Sequence, residues 1–232
     1  MQNFLKGIKK YGLKVGLSIF LLLFLAFFWY VNDYYKADES VLTILDKAYV
    51  SEVNNVVELK ADSNKGLIFY PGGKVEAYAY LALLDGLRNE GINVYLVKMP
   101  FNLAVFNINA ADEIIKNHPE INEWYIAGHS LGGAMASQYL DKNADKFSGL
   151  IQLAAYPINE SEENTLVLIG SNDLVLSRDN IKDYVEIVGG NHAYFGDYGE
   201  QEGDGQASIS RLDQQSFTIN QIMDFITQTS SK

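Results

Sequence analysis

Gly128-His129-Ser130-Leu131-Gly132 is the segment of this sequence with the clearest chemical content. It matches G-x-S-x-G, the pattern that puts a serine on a sharp turn between a strand and a helix, from where its hydroxyl can attack an acyl carbon. Residues 124–127 before it have strand character, and residues 131–140 after it read as a helix rich in small residues. Such a turn would clash with side chains at the two flanking positions, which accounts for both glycines. Ser130 then stands at a helix N-terminus, where the peptide dipoles favour developing negative charge. Leu131 N–H is placed to donate to an oxyanion. A chance glycine-rich turn also satisfies the bare pattern. The strand before it and the helix after it are what argue for chemistry.

A serine nucleophile needs a base, and the chain has three histidines. His129 lies inside the turn, with its side chain expected to face away from the nucleophile. His118 precedes Pro119 at a helix end and reads as a surface residue. His192, in Val188-Gly189-Gly190-Asn191-His192, follows the last strand that can be placed. With a serine on this kind of turn the chain order is serine, acid, histidine. Only His192 satisfies it; the plain alternative is an ordinary loop histidine. The acid should follow residues 166–169, a strand running into Gly170-Ser171-Asn172-Asp173. Asp173 is the choice, with Asp179 and Asp183 as less well placed rivals. It would accept from His192 Nδ1–H, fix the tautomer and stabilise the imidazolium. The loop Pro71-Gly72-Gly73-Lys74, after an early strand, is expected to give the second oxyanion donor, Gly73 N–H first and Lys74 N–H next; an ordinary turn is the alternative. Phe101, Leu103, Val105 and Phe106 are expected to wall the substrate pocket.

The elements that would position these groups alternate between short β-type runs and helical patterns. That argues for an α/β chain with a mostly parallel sheet and helices on both faces. Strands are expected at 66–70, 92–97, 124–127, 150–154, 166–169 and 184–188, with a strand or hairpin near 48–58. Helices are expected at 75–89, 110–117 and 131–140, and a closing helix shares Ile219, Ile222, Met223 and Ile226 on one face. Residues 155–164 are too few for a cap domain and read as a plain loop. Residues 196–205, GDYGEQEGDG, carry Asp197, Glu200, Glu202 and Asp204. Their spacing is not that of a calcium loop of the EF-hand kind. A loop shaping the rim beside His192 is the expectation, and no metal or other cofactor is expected.

Residues 15–31 read VGLSIFLLLFLAFFWYV, without a charge. As a helix they span about 26 Å, close to the ~30 Å hydrocarbon core of a bilayer. Trp29 and Tyr30 fall where an interfacial aromatic belt would lie, and Lys6, Lys9, Lys10 and Lys14 precede the span. The expectation is a single-pass signal-anchor in the cell membrane: residues 1–14 as a cytoplasmic basic tail, 15–31 across the membrane, 32–40 as linker, and 41–232 as an extracytoplasmic catalytic domain. A cleavable signal peptide needs small residues after the apolar run, and Trp-Tyr-Val-Asn-Asp-Tyr-Tyr offers none. A buried core helix fits poorly with a segment that is apolar on every face.

Composition narrows the remaining classes. Hydrophobic residues make up 48% of the 232 and charged residues 20%, a mix that builds a packed core rather than a disordered chain. The net charge of −11 argues against nucleic acid as a partner. Without any cysteine, disulfides, thiolate nucleophiles and Cys-ligated zinc are excluded.

Four stretches together are similar to a known group: FYPGGKVE at 69–76, MPFNLAVF at 99–106, GHSLGGAMA at 128–136 and GGNHAYFGDYGEQEGDG at 189–205. The chain resembles the small α/β-hydrolases of the fold-5 family, relatives of the dienelactone-hydrolase branch, over residues 66–215. The resemblance implies the α/β-hydrolase fold and a triad of Ser130, Asp173 and His192. It implies no particular substrate. Dienelactone hydrolases proper use a cysteine nucleophile, so that activity is not carried over. The expectation is an ester hydrolase acting through an acyl-enzyme on a small-molecule or polymer-linked ester. The alternatives are an acyltransferase using the same triad and an anchored binding protein that has lost the chemistry.

Overall fold

Alternation along the central strands dictates how this chain packs. A computed structural model describes residues 2–157, 164–179 and 181–230, with the side chains of residues 2–10, 12 and 13 left out. Of the loop expected at 155–164, residues 158–163 lie outside the described residues. The chain divides into two units, Met1–Tyr34 and Tyr35–Lys232.

The first unit is helix α1 (Gln2–Asn32). Its stretch Lys14–Asn32 has a mean hydropathy of 2.1 and is long and apolar enough to cross a membrane, by length and composition. Large side chains along it, Phe20, Leu22 and Leu23 among them, are exposed rather than packed in a core.

The second unit opens with the one-turn helix α2 (Glu39–Leu42) and holds an eight-stranded sheet, which runs from edge to edge as β1 (Val50–Val53), β2 (Val56–Leu59), β4 (Asn93–Val97), β3 (Lys65–Tyr70), β5 (Glu123–His129), β6 (Gly149–Leu153), β7 (Thr165–Gly170) and β8 (Val185–Ile187). β1 and β2 form a hairpin. Its two turn residues, Asn54 and Asn55, both have positive φ, as a two-residue turn matched to strand twist requires. β2 joins β4 antiparallel. From β4 through β3, β5, β6, β7 and β8 every pairing is parallel.

The strands are apolar on both faces, as a sheet covered twice must be. Leu67, Phe69, Val94, Leu96, Tyr125 and Ala127 share one core with α3 (Leu81–Asn89) and α6 (Arg211–Thr229). The intervening Ile68, Tyr70, Tyr95, Val97 and Ile126 share the other with α4 (Ala110–Asn117) and α5 (Leu131–Leu140). A reciprocal capping box between Ser210 and Asp213 starts α6.

The helix expected at 75–89 begins later. Residues 77–80 are a 3₁₀ turn and α3 starts at Leu81. Val75 is instead taken into a parallel bridge with Tyr35. The segment after Tyr34 is bonded along this side of the unit: Tyr35 N–H to Lys74 O at 2.8 Å, Glu76 N–H to Tyr35 O at 2.9 Å, and Asp38 N–H to Asp197 O at 2.8 Å.

Strand order reverses around β3, which has β4 on one side and β5 on the other. In open parallel sheets a crevice forms outside the carboxyl ends of the strands at such a point.

Candidate active site

β5 ends at His129, and the chain turns at Ser130 with φ 50° and ψ −122° before α5 begins. Positive φ is sterically costly for a residue with a Cβ and is held here by its surroundings. Ser130 N–H donates to Leu153 O at 2.9 Å, and Ser130 O accepts from Ala134 N–H at 3.1 Å. The flanking glycines follow from close approach. A Cβ on Gly128 would fall 2.5 Å from Gly132 C and Gly133 N, and one on Gly132 would overlap the carbonyl oxygens of Tyr70 and Pro71.

His192 and Asp173 come from the loops after β8 and β7. His192 Nδ1 lies 2.9 Å from Asp173 Oδ2, and both side chains are buried. The other carboxylate oxygen, Oδ1, accepts from Val175 N–H and Leu176 N–H, each at 2.9 Å. An acceptor-only carboxylate with both oxygens so engaged holds the imidazole with Nδ1 as donor. His192 Nε2 is buried with no hydrogen-bond partner among the described residues. Asp179 and Asp183 are exposed. His118 lies between Glu58 and Glu120, at 3.3 and 2.9 Å.

Ser130 and His192 line one cavity of about 240 Å³ with Leu131, Ala134, Ala155, Val175 and Leu176. None of the four residues expected to wall the substrate pocket lines this cavity. Of these four, Phe101, Val105 and Phe106 are exposed and Leu103 is buried, with its Cδ2 3.7 Å from where a Cβ on Gly73 would be. Phe101 and Asn102 both take positive φ, and the Phe101 ring lies against Phe106, centroids 5.6 Å apart.

Gly73 also packs on Leu131, the residue after Ser130, since a Cβ there would be 2.9 Å from Leu131 Cδ2. Lys74 N–H, the other candidate donor in this loop, is taken up by Asn102 O at 2.8 Å. Of the two candidate donors in this loop, that leaves Gly73 N–H.

Several residues that hold the site were not assigned to it from sequence. Asp204 binds the loops that carry Asp173 and His192. Its Oδ2 accepts from Ala193 N–H at 2.9 Å, and its Oδ1 accepts from Gly205 N–H at 2.8 Å and Leu174 N–H at 3.4 Å. Gln214 pairs both ways with the Asn191 backbone, at 3.0 and 2.8 Å. Arg178 Nη2 donates to Gly170 O at 2.6 Å and Ser171 O at 2.9 Å, fixing the start of the acid loop. The acidic glycine loop is thus a brace behind the histidine. Three of its carboxylates accept hydrogen bonds: Asp204 as above, Asp197 from Gln215 Nε2 at 2.9 Å and Glu200 from Tyr194 O–H at 3.2 Å. No cluster of three or more metal-ligating side chains occurs among the described residues. The only trace of these roles in the sequence is the density of glycine and acid at 196–205.

Solved structures share this fold. The chain is similar to a putative lipase from Acinetobacter baumannii AYE, at 11% identity and a TM-score of 0.58, covering 83% of this chain and 96% of that one. It is similar to a monoacylglycerol lipase from Paleococcus ferrophilus, at 12% identity and 0.56, over 73% and 98%. It is similar also to Est1E from Butyrivibrio proteoclasticus, at 14% identity and 0.55, over 79% and 98%. At these identities the likeness is one of fold. No curated protein matches the chain in sequence. The profile of the alpha/beta hydrolase family, however, matches residues 66–216, well over half the chain, and the chain belongs to that family.

Proposed function

We propose that this chain is a serine hydrolase that cleaves acyl esters through an acyl-enzyme on Ser130. One observation carries the reading. A serine held at positive φ shares a cavity with a buried imidazole whose far nitrogen is 2.9 Å from a buried carboxylate. Asp173 keeps Nδ1 protonated, so Nε2 is the basic nitrogen. His192 Nε2 takes the Ser130 hydroxyl proton as Oγ adds to the ester carbonyl. Leu131 N–H and Gly73 N–H donate to the oxyanion. Collapse breaks the acyl–oxygen bond, and His192 returns the proton to the leaving alcohol. Water then attacks the acyl-enzyme by the same route in reverse.

The cavity's size and its alanine-rich wall support a short acyl group, with the alcohol part outside it. The helix Lys14–Asn32 and the lysines before it support a membrane tether with the catalytic unit outside the cytoplasm. The test is a p-nitrophenyl ester series by acyl length, with Ser130→Ala as control. Acetate and butyrate esters should be turned over and Ser130→Ala should be inactive. A steep preference for long chains, or activity surviving in Ser130→Ala, contradicts the reading.

A further inference from the structure

His129, which precedes Ser130 in the turn, has both ring nitrogens engaged. His129 is 1% exposed and Tyr80 0%. His129 Nε2 lies 3.1 Å from the His192 carbonyl oxygen, which can only accept, so Nε2 carries a proton and donates. Burial holds this imidazole well below the usual histidine range, and the His192 ring beside it acts in the same direction. A neutral ring that donates through Nε2 accepts at Nδ1. The Tyr80 hydroxyl, 2.8 Å away, therefore donates to Nδ1. Its oxygen accepts in turn from Gly72 N–H at 3.0 Å. The three groups meet with no room to spare, for a Cβ on Gly72 would come 2.7 Å from His129 Nδ1 and 2.8 Å from the Tyr80 hydroxyl oxygen. Each bond fixes the polarity of the next: Gly72 N–H to Tyr80, Tyr80 O–H to His129, His129 N–H to the His192 carbonyl.

Each end of this string reaches one half of the reaction centre. At one end, Gly72 O accepts from Val75 N–H at 3.3 Å. In a trans peptide the N–H points opposite to the C=O, so the held Gly72 carbonyl sets the direction of Gly73 N–H, while Tyr80 holds the peptide just before it. At the other end, the His192 carbonyl belongs to the same peptide group as Ala193 N–H, which Asp204 holds at 2.9 Å. Both sides of that peptide are thereby pinned, and with them the backbone that carries the general base.

We infer that Tyr80 and His129 are positioning residues that tie the oxyanion loop and the catalytic histidine into one unit, so that donor and base hold their geometry together. The inference rests on the serine-hydrolase reading. Its test uses Tyr80→Phe, His129→Phe and the double variant in the full chain in detergent. Turnover of p-nitrophenyl acetate is expressed per site titrated with a fluorophosphonate, so that misfolded molecules drop out. Each single variant should lose roughly tenfold or more in kcat with KM changed less than about twofold. The double should be no worse than the poorer single, because a string cut once is already cut. Wild-type kcat in Tyr80→Phe, or losses that simply multiply, would overturn the inference.

Nitrogen-15 NMR of histidine and glycine reads the string without turnover. His129 should remain the neutral Nε2–H tautomer over roughly pH 5 to 8. Tyr80→Phe should shift both the Gly73 amide and the His192 ring. A titrating His129, or Gly73 and His192 signals left unmoved, would overturn the string whatever the activity. A wild-type protein with these signatures intact but no ester hydrolysis would instead strike the serine-hydrolase reading, and with it the roles given to Tyr80 and His129.

Discussion

Asp204 offers a quantitative test of how the loops carrying Asp173 and His192 are held. Its carboxylate accepts from Ala193 N–H at 2.9 Å and Gly205 N–H at 2.8 Å, with a longer contact to Leu174 N–H. Ala193 is fully buried, so its N–H has no access to water once the carboxylate is removed. A hydrogen bond to a charged acceptor contributes about 1.5–3 kcal/mol. Two such bonds, discounted because Asp204 itself is half-buried, put the cost of Asp204→Ala at about 2–4 kcal/mol. Asparagine keeps one acceptor oxygen and turns an amide N–H₂ toward the remaining donors, so Asp204→Asn should cost about half as much. The assay is urea unfolding of the full chain in detergent, followed by fluorescence of Trp124, a buried residue of β5. Turnover per titrated site should also fall, because the same carboxylate bridges the loops of Asp173 and His192. Asp204→Ala unfolding within about 0.5 kcal/mol of wild type, with unchanged turnover, would refute the brace.

Three further outcomes follow from the same geometry. His129 is held neutral by burial in the fold, while the unfolded chain takes up a proton below about pH 6.5, so stability should fall as pH drops through that value, by up to about 1.4 kcal/mol per pH unit for this group. His129→Phe should flatten that limb of a stability–pH series, and an unchanged slope would contradict the assignment. Ser130→Gly and Ser130→Ala should both be inactive, but the glycine variant should be the more stable by about 1 kcal/mol, because it relieves the positive φ; equal melting curves would argue against strain at the turn. A chain begun at Asp33 keeps the Tyr35 and Asp38 bonds to Lys74, Glu76 and Asp197, and should outlast and outpace one begun at Glu39; identical stability and turnover would show these bonds to be dispensable.

How far the sequence carried depended on the range of the interactions. The turn at Gly128–Gly132 is local, and its glycines, its strand and the helix over 131–140 were all legible. So was α4 at 110–117, set by its own periodicity and by Pro119 beyond it. The choice of Asp173 came from chain order, and the structure brings that residue to His192. Features fixed from a distance were not legible. Val75 left its expected helix because Tyr35, forty residues earlier, pairs with it. The exposure of Phe101, Val105 and Phe106 was not legible either, because hydrophobicity does not say which way a positive-φ turn points its side chains. Asp204 binds Leu174, thirty residues away, through a backbone N–H that leaves no pattern in residue types. Tyr80 meets His129 across 49 residues, and nothing near either one announces the partner.

The most direct test of the central claim is the site of covalent capture. The full chain in detergent is treated with a fluorophosphonate and digested, and the modified residue is identified by mass spectrometry, alongside Ser130→Ala and His192→Gln. The account expects one adduct, on Ser130, absent from Ser130→Ala and formed at least a hundredfold more slowly in His192→Gln, whose side chain cannot act as base. An adduct on another residue, or capture of Ser130 at the wild-type rate without His192, would contradict it.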